Sequence, residues 1–369
     1  MTTTNATTAS NHKIGGLQMS FIKIKNIILL SIFGLLLVTG ILQSNAIAQF
    51  HGISLRFHTP ISGQAALEAR QYAAQTSTPY PFWPTFWHQY SSTFSAGLRT
   101  AQATTISFSG DAMLAWPAEY ITGSAPGQLD TSGIAVSKAL AHRLWGSTNI
   151  IGMRVYVNDV PRMVRGVFAG ETELALLSYH IEYTGQYWTA AELAGGPAHP
   201  TRSCAESFAI SAGLGRPNHI LMNGPGNISR FMAFSPLILF TVYALGLLIK
   251  FTRKYYPIAI APIFIAGGLV LAILLPAMLS ALPPWLIPTQ FSDFGFWGNL
   301  ISQAQASFRE FLSAAPTQRD VELRLHLIRQ ITVFILTLCI GLVIPALLTL
   351  RAPKEYNYIH SQTERTTPK

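Results

Sequence analysis

The chain runs to 369 residues, 49% hydrophobic and only 11% charged, where an average soluble domain carries about 25% charged residues. That balance points to a membrane protein before any motif is read. The net charge of +9 does not make a nucleic-acid surface: the excess sits beside apolar runs, while residues 49–230 hold eleven basic and ten acidic residues and so no basic stripe.

Residues 1–25 form a cytoplasmic N-terminal segment. The first eighteen residues are polar, Thr-rich and without pattern, so they are expected to be disordered, with Met19 the more natural start. Residues 26–48 are the first membrane span. The run Ile27–Leu42 continues to Phe50 without a charge, close to the roughly 20 residues a spanning helix needs. "SNAIA" before Gln49 also has the small-x-small form of a signal-peptidase site, with Ala46 and Ala48 in the two positions. Retention as an anchor and removal as a leader both remain open; either leaves the same large segment beyond it.

That segment, 50–229, is long enough for one domain with its own core. Ser62–Gln75 reads as a helix, with Ala66, Leu67, Ala69 and Ala73 set among polar residues. Residues 85–110 are rich in Thr, Phe, Tyr and Ser and broken at Gly97, which predicts a hairpin. "DAMLAWPAEYITGSAP" predicts a short helix or turn and then a loop. "GIAV" reads as a short buried strand. Ser137 is placed to cap the helix "KALAHRLW", and Gly146 to close it. "GMRVYVNDVPRMVRGVF" alternates about Asn158–Asp159, with Met153, Val155 and Val157 on one side and Arg154 and Tyr156 on the other, a second hairpin. Farther on, "AESFAIS" and "HILM" read as strands and "GGPAHPTRS" as a loop. This order of helices and strand pairs is that of an α+β domain.

Three more apolar runs follow, at 231–249, 257–282 and 330–350. None of the four contains Asp, Glu, Lys or Arg, the usual marks of a proton relay or ion path. The spans are expected to hold the outer domain and to move as bodies. Gly267, Gly268 and Gly341 allow close helix contact, and Pro276 and Pro345 mark kinks. Residues 283–328 form a second outer loop. There Phe294, Trp297, Ile301, Ala304, Phe308 and Phe311 fall at helical spacing, with Ser302, Gln303, Gln305 and Arg309 between them and Ser292–Asp293 at the cap position. This is an amphipathic helix whose aromatic face meets lipid or packs on its neighbours. "PTQRDVELRLHLIRQ" then leads straight into the last span as one extended helix, and 351–369 is the tail.

Cations near span ends favour the cytoplasmic side. They cluster at Lys13, Lys23 and Lys25, at Lys250, Arg253 and Lys254, and at Arg351, Lys354, Arg365 and Lys369. The expected topology is therefore a multi-pass protein of the cell membrane. Both termini and the 250–256 loop are cytoplasmic; 50–229 and 283–328 face outward. Cys204 and Cys339 fall in different compartments on this reading, and two cysteines have neither a disulfide framework nor metal-ligand spacing.

Residues 104–168 carry a resemblance. Asp130 leads into "GIAVSKALAHRLWG" and "NIIGMRVYVNDVPRMVRGVF", with Ala141, Leu144, Trp145, Gly146, Ile151, Gly152, Gly166 and Val167 at matching places. The stretch resembles the outer core domain of MacB-type permeases, within the FtsX-like family of ABC transporter membrane subunits. The resemblance implies an α+β extracytoplasmic domain inserted after the first of four transmembrane helices. It implies a permease-like subunit that transmits motion between its helices and that domain, for export or release of a substrate. It also implies a separate ABC ATPase partner and a homo- or heterodimer within the bilayer. Asp130, Leu144, Trp145, Gly146, Gly152 and Gly166 are read as fold residues rather than as a site. The chain departs from the family between the second and third spans, where such permeases carry a coupling helix for the ATPase. Here that stretch is "KFTRKYYP", too short for a separate helix. Lys250, Arg253, Lys254, Phe294, Trp297 and Phe308 are the candidate membrane-surface or partner contacts. The alternative is a non-transporting, membrane-anchored binding or scaffold protein with a MacB-like outer domain.

No "GxxxxGK[ST]", "HExxH" or "GxSxG" occurs. His51, His58, His88, His142, His180, His199 and His219 include no i, i+4 pair, and Cys204 has only His199 near it in sequence. No catalytic residue, cofactor or metal ligand is expected.

Overall fold

The computed structural model describes residues 5–50, 52–76, 81–181, 185–197, 201–222, 224–255 and 296–349, with short stretches between 262 and 276. The chain divides into two compact units. One draws on residues 1–47, 227–283 and 325–369, the other on 48–226 and 284–324.

The first unit is helical. Among the described residues three helices are long and apolar enough to cross a membrane, with candidate spans at Ile27–Ala48, Ile228–Gly246 and Gln318–Ile344. The expected span at 257–282 lies mostly outside the described residues. Helix α1 runs Asn5–Ala48, so helix replaces the expected disorder over most of the first eighteen residues. No proline interrupts it, and extending an existing helix needs no new nucleus. Phe33 meets Phe240 with ring centroids 4.8 Å apart. A Cβ on Gly341 would lie 3.0 Å from the Phe33 ring, and one on Gly267 would lie 2.5 Å from the Leu245 side chain. Those two glycines therefore do permit close helix approach, whereas Gly268 faces open space. A polar belt joins the helices: Ser44 and Ser229 share a hydrogen bond of 3.3 Å, Gln330 Nε2 donates to the Ser229 carbonyl, and His326 pairs with Gln43 at 3.1 Å.

The second unit is built on a ten-stranded mixed sheet. In chain order it holds β1 (Ile53–Ser62), α2 (Gly63–Gln75), β2 (Phe82–Ala96), β3 (Arg99–Ser109), α3 (Ala112–Ala115), β4 (Tyr120–Gly123), β5 (Gly133–Ser137) and α4 (Lys138–Trp145). Then come β6 (Arg154–Val157), β7 (Val160–Phe168), β8 (Leu174–Ser178), β9 (Tyr187–Gly195), α5 (Arg202–Ser211) and β10 (His219–Leu221). Helix α6 (Gly224–Tyr255) leads away. The chain re-enters this unit with α7 (Phe296–Ser313) and the first turns of α8 (Gln318–Thr349). Strand order is β10-β1-β9-β2-β3-β8-β5-β7-β4, with β6 paired to β2 and β7.

Local chemistry sets many of these boundaries. Ser62 and Ser137 cap α2 and α4 by accepting from Ala65 N and Leu140 N, each at 3.2 Å. Gly146 closes α4 at φ +73°. Asn158 and Asp159 sit at φ 47° and 66°, as a two-residue hairpin turn of this hand requires. Val155 and Val157 are buried as expected, but Met153 precedes the strand and is exposed.

Four strands escape the sequence pattern: β1, β4, β8 and β9. "AESFAIS", expected as a strand, belongs to helix α5, capped by Thr201, with Ala205 and Ala209 buried four residues apart. That spacing is the helical period, and small alanines let the helix sit close on the sheet. On one face α2 and α5 cover Leu55, Phe86, Ala191 and Leu193, while α4 covers Phe94, Ile134, Val136 and Leu177. Strand register places His88, Tyr90, Thr105 and Ser107 between those two apolar patches, so a polar seam divides the face. Trp87, Phe108, Trp116 and Phe168 pack on the opposite face.

Candidate functional site

The structure disperses the residues singled out in the sequence. Leu144 is 2% exposed and packs in the core beneath α4, with Trp145 at its margin. Asp130 bonds Arg165 Nε at 2.7 Å and Ser132 at 2.8 Å, anchoring the loop before β5. Gly152 adopts φ +80°; a Cβ on Gly166 would fall on the Ser124 carbonyl. Lys250, Arg253 and Lys254 lie on the last turns of α6, not in a loop. After Pro236 no further proline occurs before Pro257, and cations at a helix C-terminus meet its dipole favourably. Trp297 lies on α7, and Phe308, on the same helix, is 62% exposed. Phe294 and the side chain of Trp297 are outside the described residues, as is His199. Among the described residues no group of three His, Cys, Asp or Glu could hold a metal.

What the fold brings together is a buried cluster of four charges from three distant parts of the chain. Strand pairing sets Ser54 opposite Glu192, and Thr85 opposite Glu192 from the other side. Glu192 therefore points to the sheet face away from α2 and α5, beside Arg56 and Trp87. Its Oε1 accepts from Ser54 Oγ at 2.6 Å and from Trp87 Nε1 at 3.0 Å. Arg56 lies 4.4 Å above the Trp87 ring.

The start of α8 completes the cluster. Thr317 and Asp320 form a reciprocal cap: Asp320 N donates to Thr317 Oγ1 at 3.3 Å, and Asp320 Oδ2 accepts from Thr317 N at 3.1 Å. Asp320 Oδ1 is left to accept from Arg56 Nη2 at 3.0 Å. Arg319 Nη1 reaches Glu192 Oε1 at 3.3 Å, and Arg56 Nη2 lies 3.8 Å from the same oxygen. Gln318 N donates to Gln89 Oε1 at 2.8 Å. The side chains of Arg56, Glu192, Arg319 and Asp320 are at most 10% exposed. Two cations meet two anions, so no net charge is buried. Such a group adds little over apolar packing, yet removing one member costs about 3–5 kcal/mol. Its effect is to fix where α8 begins relative to the sheet.

A second contact lies beside the first. Glu310 on α7 accepts from both terminal nitrogens of Arg202, with Nη2–Oε1 at 2.9 Å, and from Ile220 N at 3.0 Å. The Ile220 N–H belongs to β10, the last strand on that side of the sheet. Glu310 thus closes an edge that would otherwise offer an unpaired donor.

Elsewhere, an open groove of about 340 Å³ between α2 and α5 is lined by Tyr72, Phe82, Phe208 and Cys204. Hydrogen bonding by Thr201 holds the exposed Cys204 thiol below its ordinary value. In the polar seam, burial lowers His88 and raises Tyr90, the latter with Tyr179 beside it.

No family model matches the sequence, and no curated protein matches it. Solved structures do. The extracellular domain of the noncanonic ABC-type transporter YknZ from Gram-positive bacteria is 12% identical, covering 44% of this chain and 91% of that one, with a TM-score of 0.36. The periplasmic region of MacB from Actinobacillus actinomycetemcomitans is 12% identical, covering 46% and 87%, with a TM-score of 0.39. The chain is similar to extracytoplasmic domains of ABC transporters. At this identity the likeness is one of fold, and it extends over less than half of the chain.

Sequence reading missed the charge cluster. Only the Thr317–Asp320 cap had a local signature. Arg56 in "ISLRF" and Glu192 in "TAAELAG" each stand as a single charge in an otherwise apolar run, which was the available hint.

Proposed function

We propose that this chain is a permease-like membrane subunit of the MacB/FtsX type, which transmits motion between its spans and an extracytoplasmic sheet domain for export or release of a substrate. The observation that carries the reading is α8. One helix, Gln318–Thr349, begins with Arg319 and Asp320 in the buried cluster and continues as an apolar span to Ile344, ahead of Pro345. A helix is a stiff element at this length, so displacement of its apolar part is felt where its first turn is held. The sequence resemblance over 104–168 and the apolar helices support the same reading. The topology proposed with it has four spans, cytoplasmic termini, and residues 50–229 and 283–328 outside. A separate ABC ATPase supplies the energy.

The test is recovery of the native complex in mild detergent. An ABC ATPase should copurify, and its absence from repeated preparations overturns the transporting role. A second reading has its own observation. The basic stretch is the end of α6 rather than a separate coupling helix, which favours a binding or scaffold protein anchored by its spans. Exchange of Lys250, Arg253 and Lys254 for Ala separates the two. Loss of the ATPase with topology intact supports the permease; unchanged association with other envelope proteins and no ATPase in either preparation supports the scaffold.

A further inference from the structure

We propose that residues 296–324, α7 and the first turns of α8, form a reversible latch on the sheet rather than a permanent part of its core. The first ground is the character of the contact. Among the described residues, none of this arm belongs to the three apolar cores of the unit; its apolar contribution is limited to the buried Ala314 and Leu323 and to Arg319 stacked over Phe50. The arm is held through Arg319, Asp320, Gln318 and Glu310, by ion pairs and hydrogen bonds to Arg56, Glu192, Gln89, Arg202 and Ile220.

The second ground is the way the charges divide. Arg56 and Glu192 both belong to the sheet and lie 3.8 Å apart; Arg319 and Asp320 are both on the arm. Within the cluster, lifting the arm therefore separates two neutral halves, each with one cation and one anion; the Arg202–Glu310 pair parts as well, but its Arg202 side chain is already 52% exposed. Water then solvates groups whose burial was only partly compensated. Arg56 Nε and Nη1, Glu192 Oε2 and Arg319 Nε are buried and make no hydrogen bond to another described residue. Each gains a partner on release, which offsets the bonds that break.

The third ground is access. A cavity of about 30 Å³ touches Ser54, Glu192, Arg319 and Asp320, large enough for a water molecule and placed where solvent would first enter the contact. Release would also uncover the Ile220 N–H, making the β10 edge available for pairing. The latch itself stands on these contacts alone. Its use as a coupling between span and domain rests on the proposed permease reading.

The test is hydrogen exchange followed by mass spectrometry on the full chain in lipid nanodiscs. In the unmodified protein, peptides covering 218–222 and 317–322 should exchange at least tenfold faster than those covering β3 and β8. Asp320→Asn, and independently Glu310→Gln, should accelerate exchange in the arm and at 218–222 by a further tenfold or more while leaving β3 and β8 unchanged. Arm and sheet core exchanging together in the unmodified protein, or accelerating together in both variants, overturns the latch and makes the arm part of one cooperative fold. Variants with unaltered arm exchange overturn it as well. The measurement needs no ATPase, so its failure is separate from failure of the copurification test.

Discussion

Gly152 and Gly166 occupy neighbouring parts of the same motif, yet the structure requires glycine at each for a different reason, and the difference is measurable. At Gly152 φ is +80° and nothing lies within 4 Å of the position a Cβ would take. An alanine there meets no neighbour, but the left-handed backbone costs about 1–2 kcal/mol for a residue with a side chain. Asparagine tolerates that conformation, so Gly152→Asn should recover most of what Gly152→Ala loses. At Gly166 the backbone is ordinary and the space is missing. A Cβ would fall on the Ser124 carbonyl and 2.8 Å from Tyr120 Cε1, so β4 must move away from β7. Overpacking of this sort costs about 1–3 kcal/mol. A unit of this size loses about 2–4 °C of melting temperature per kcal/mol, giving a fall of about 2–12 °C for Gly166→Ala. Gly166→Asn should be worse than Gly166→Ala. Thermal unfolding in detergent, read from the fluorescence of the fully buried Trp87 and Trp188, provides the assay. The reasoning is refuted if Gly166→Ala melts with the wild type, or if Asn and Ala rank alike at the two sites.

Other outcomes follow from single contacts. Ser137 Oγ is fully buried and accepts from both Leu140 N and Leu174 N; Ser137→Ala should lower stability by about 1–2 kcal/mol in urea unfolding. At Asp130, burial raises the carboxyl pKa, but hydrogen bonds from Arg165 and Ser132 and the Arg165 charge outweigh it and hold it below its ordinary 3.8. A depressed folded value stabilises above the unfolded one. The stability advantage of wild type over Asp130→Asn should therefore be full near neutrality and shrink as pH falls below about 4; an advantage that grows on acidification contradicts the pairing. In intact cells a membrane-impermeant maleimide should label Cys204 and leave Cys339, within the last apolar run, unlabelled. Thr201→Val should slow the Cys204 reaction at neutral pH by letting the thiol return toward its ordinary value of 9.0. Labelling only after permeabilisation would invert the proposed topology.

Most of what proved legible in the sequence was set within a few residues. The hairpin at Gly97, the capped helix from Ser137 to Gly146, the Asn158–Asp159 turn, α2, and the α7 and α8 helices all lie within a residue or a few of where sequence reading put them. The misses have separate physical causes. Strands β8 ("LALLS") and β9 ("YWTAAELAG") lie inside the sheet and are covered on both faces, so they lack the alternation that marks a half-buried strand. Strand β1 carries Arg56 and Pro60, which read as loop chemistry until its partners are known. In α5 only the two small residues Ala205 and Ala209 are buried, too slight an apolar signal for its helical period to stand out in the sequence.

The sequence by itself determined the membrane character, the apolar spans, the cationic bias of their ends and the local turns and caps, because each depends on neighbours close along the chain. Only the tertiary structure decided that Arg56, Glu192, Arg319 and Asp320 meet. They come from three segments as much as 264 residues apart, and Arg56 and Glu192 are each the single charge of their strand. Burial of such charges becomes tolerable only when folding brings opposite partners within hydrogen-bonding distance.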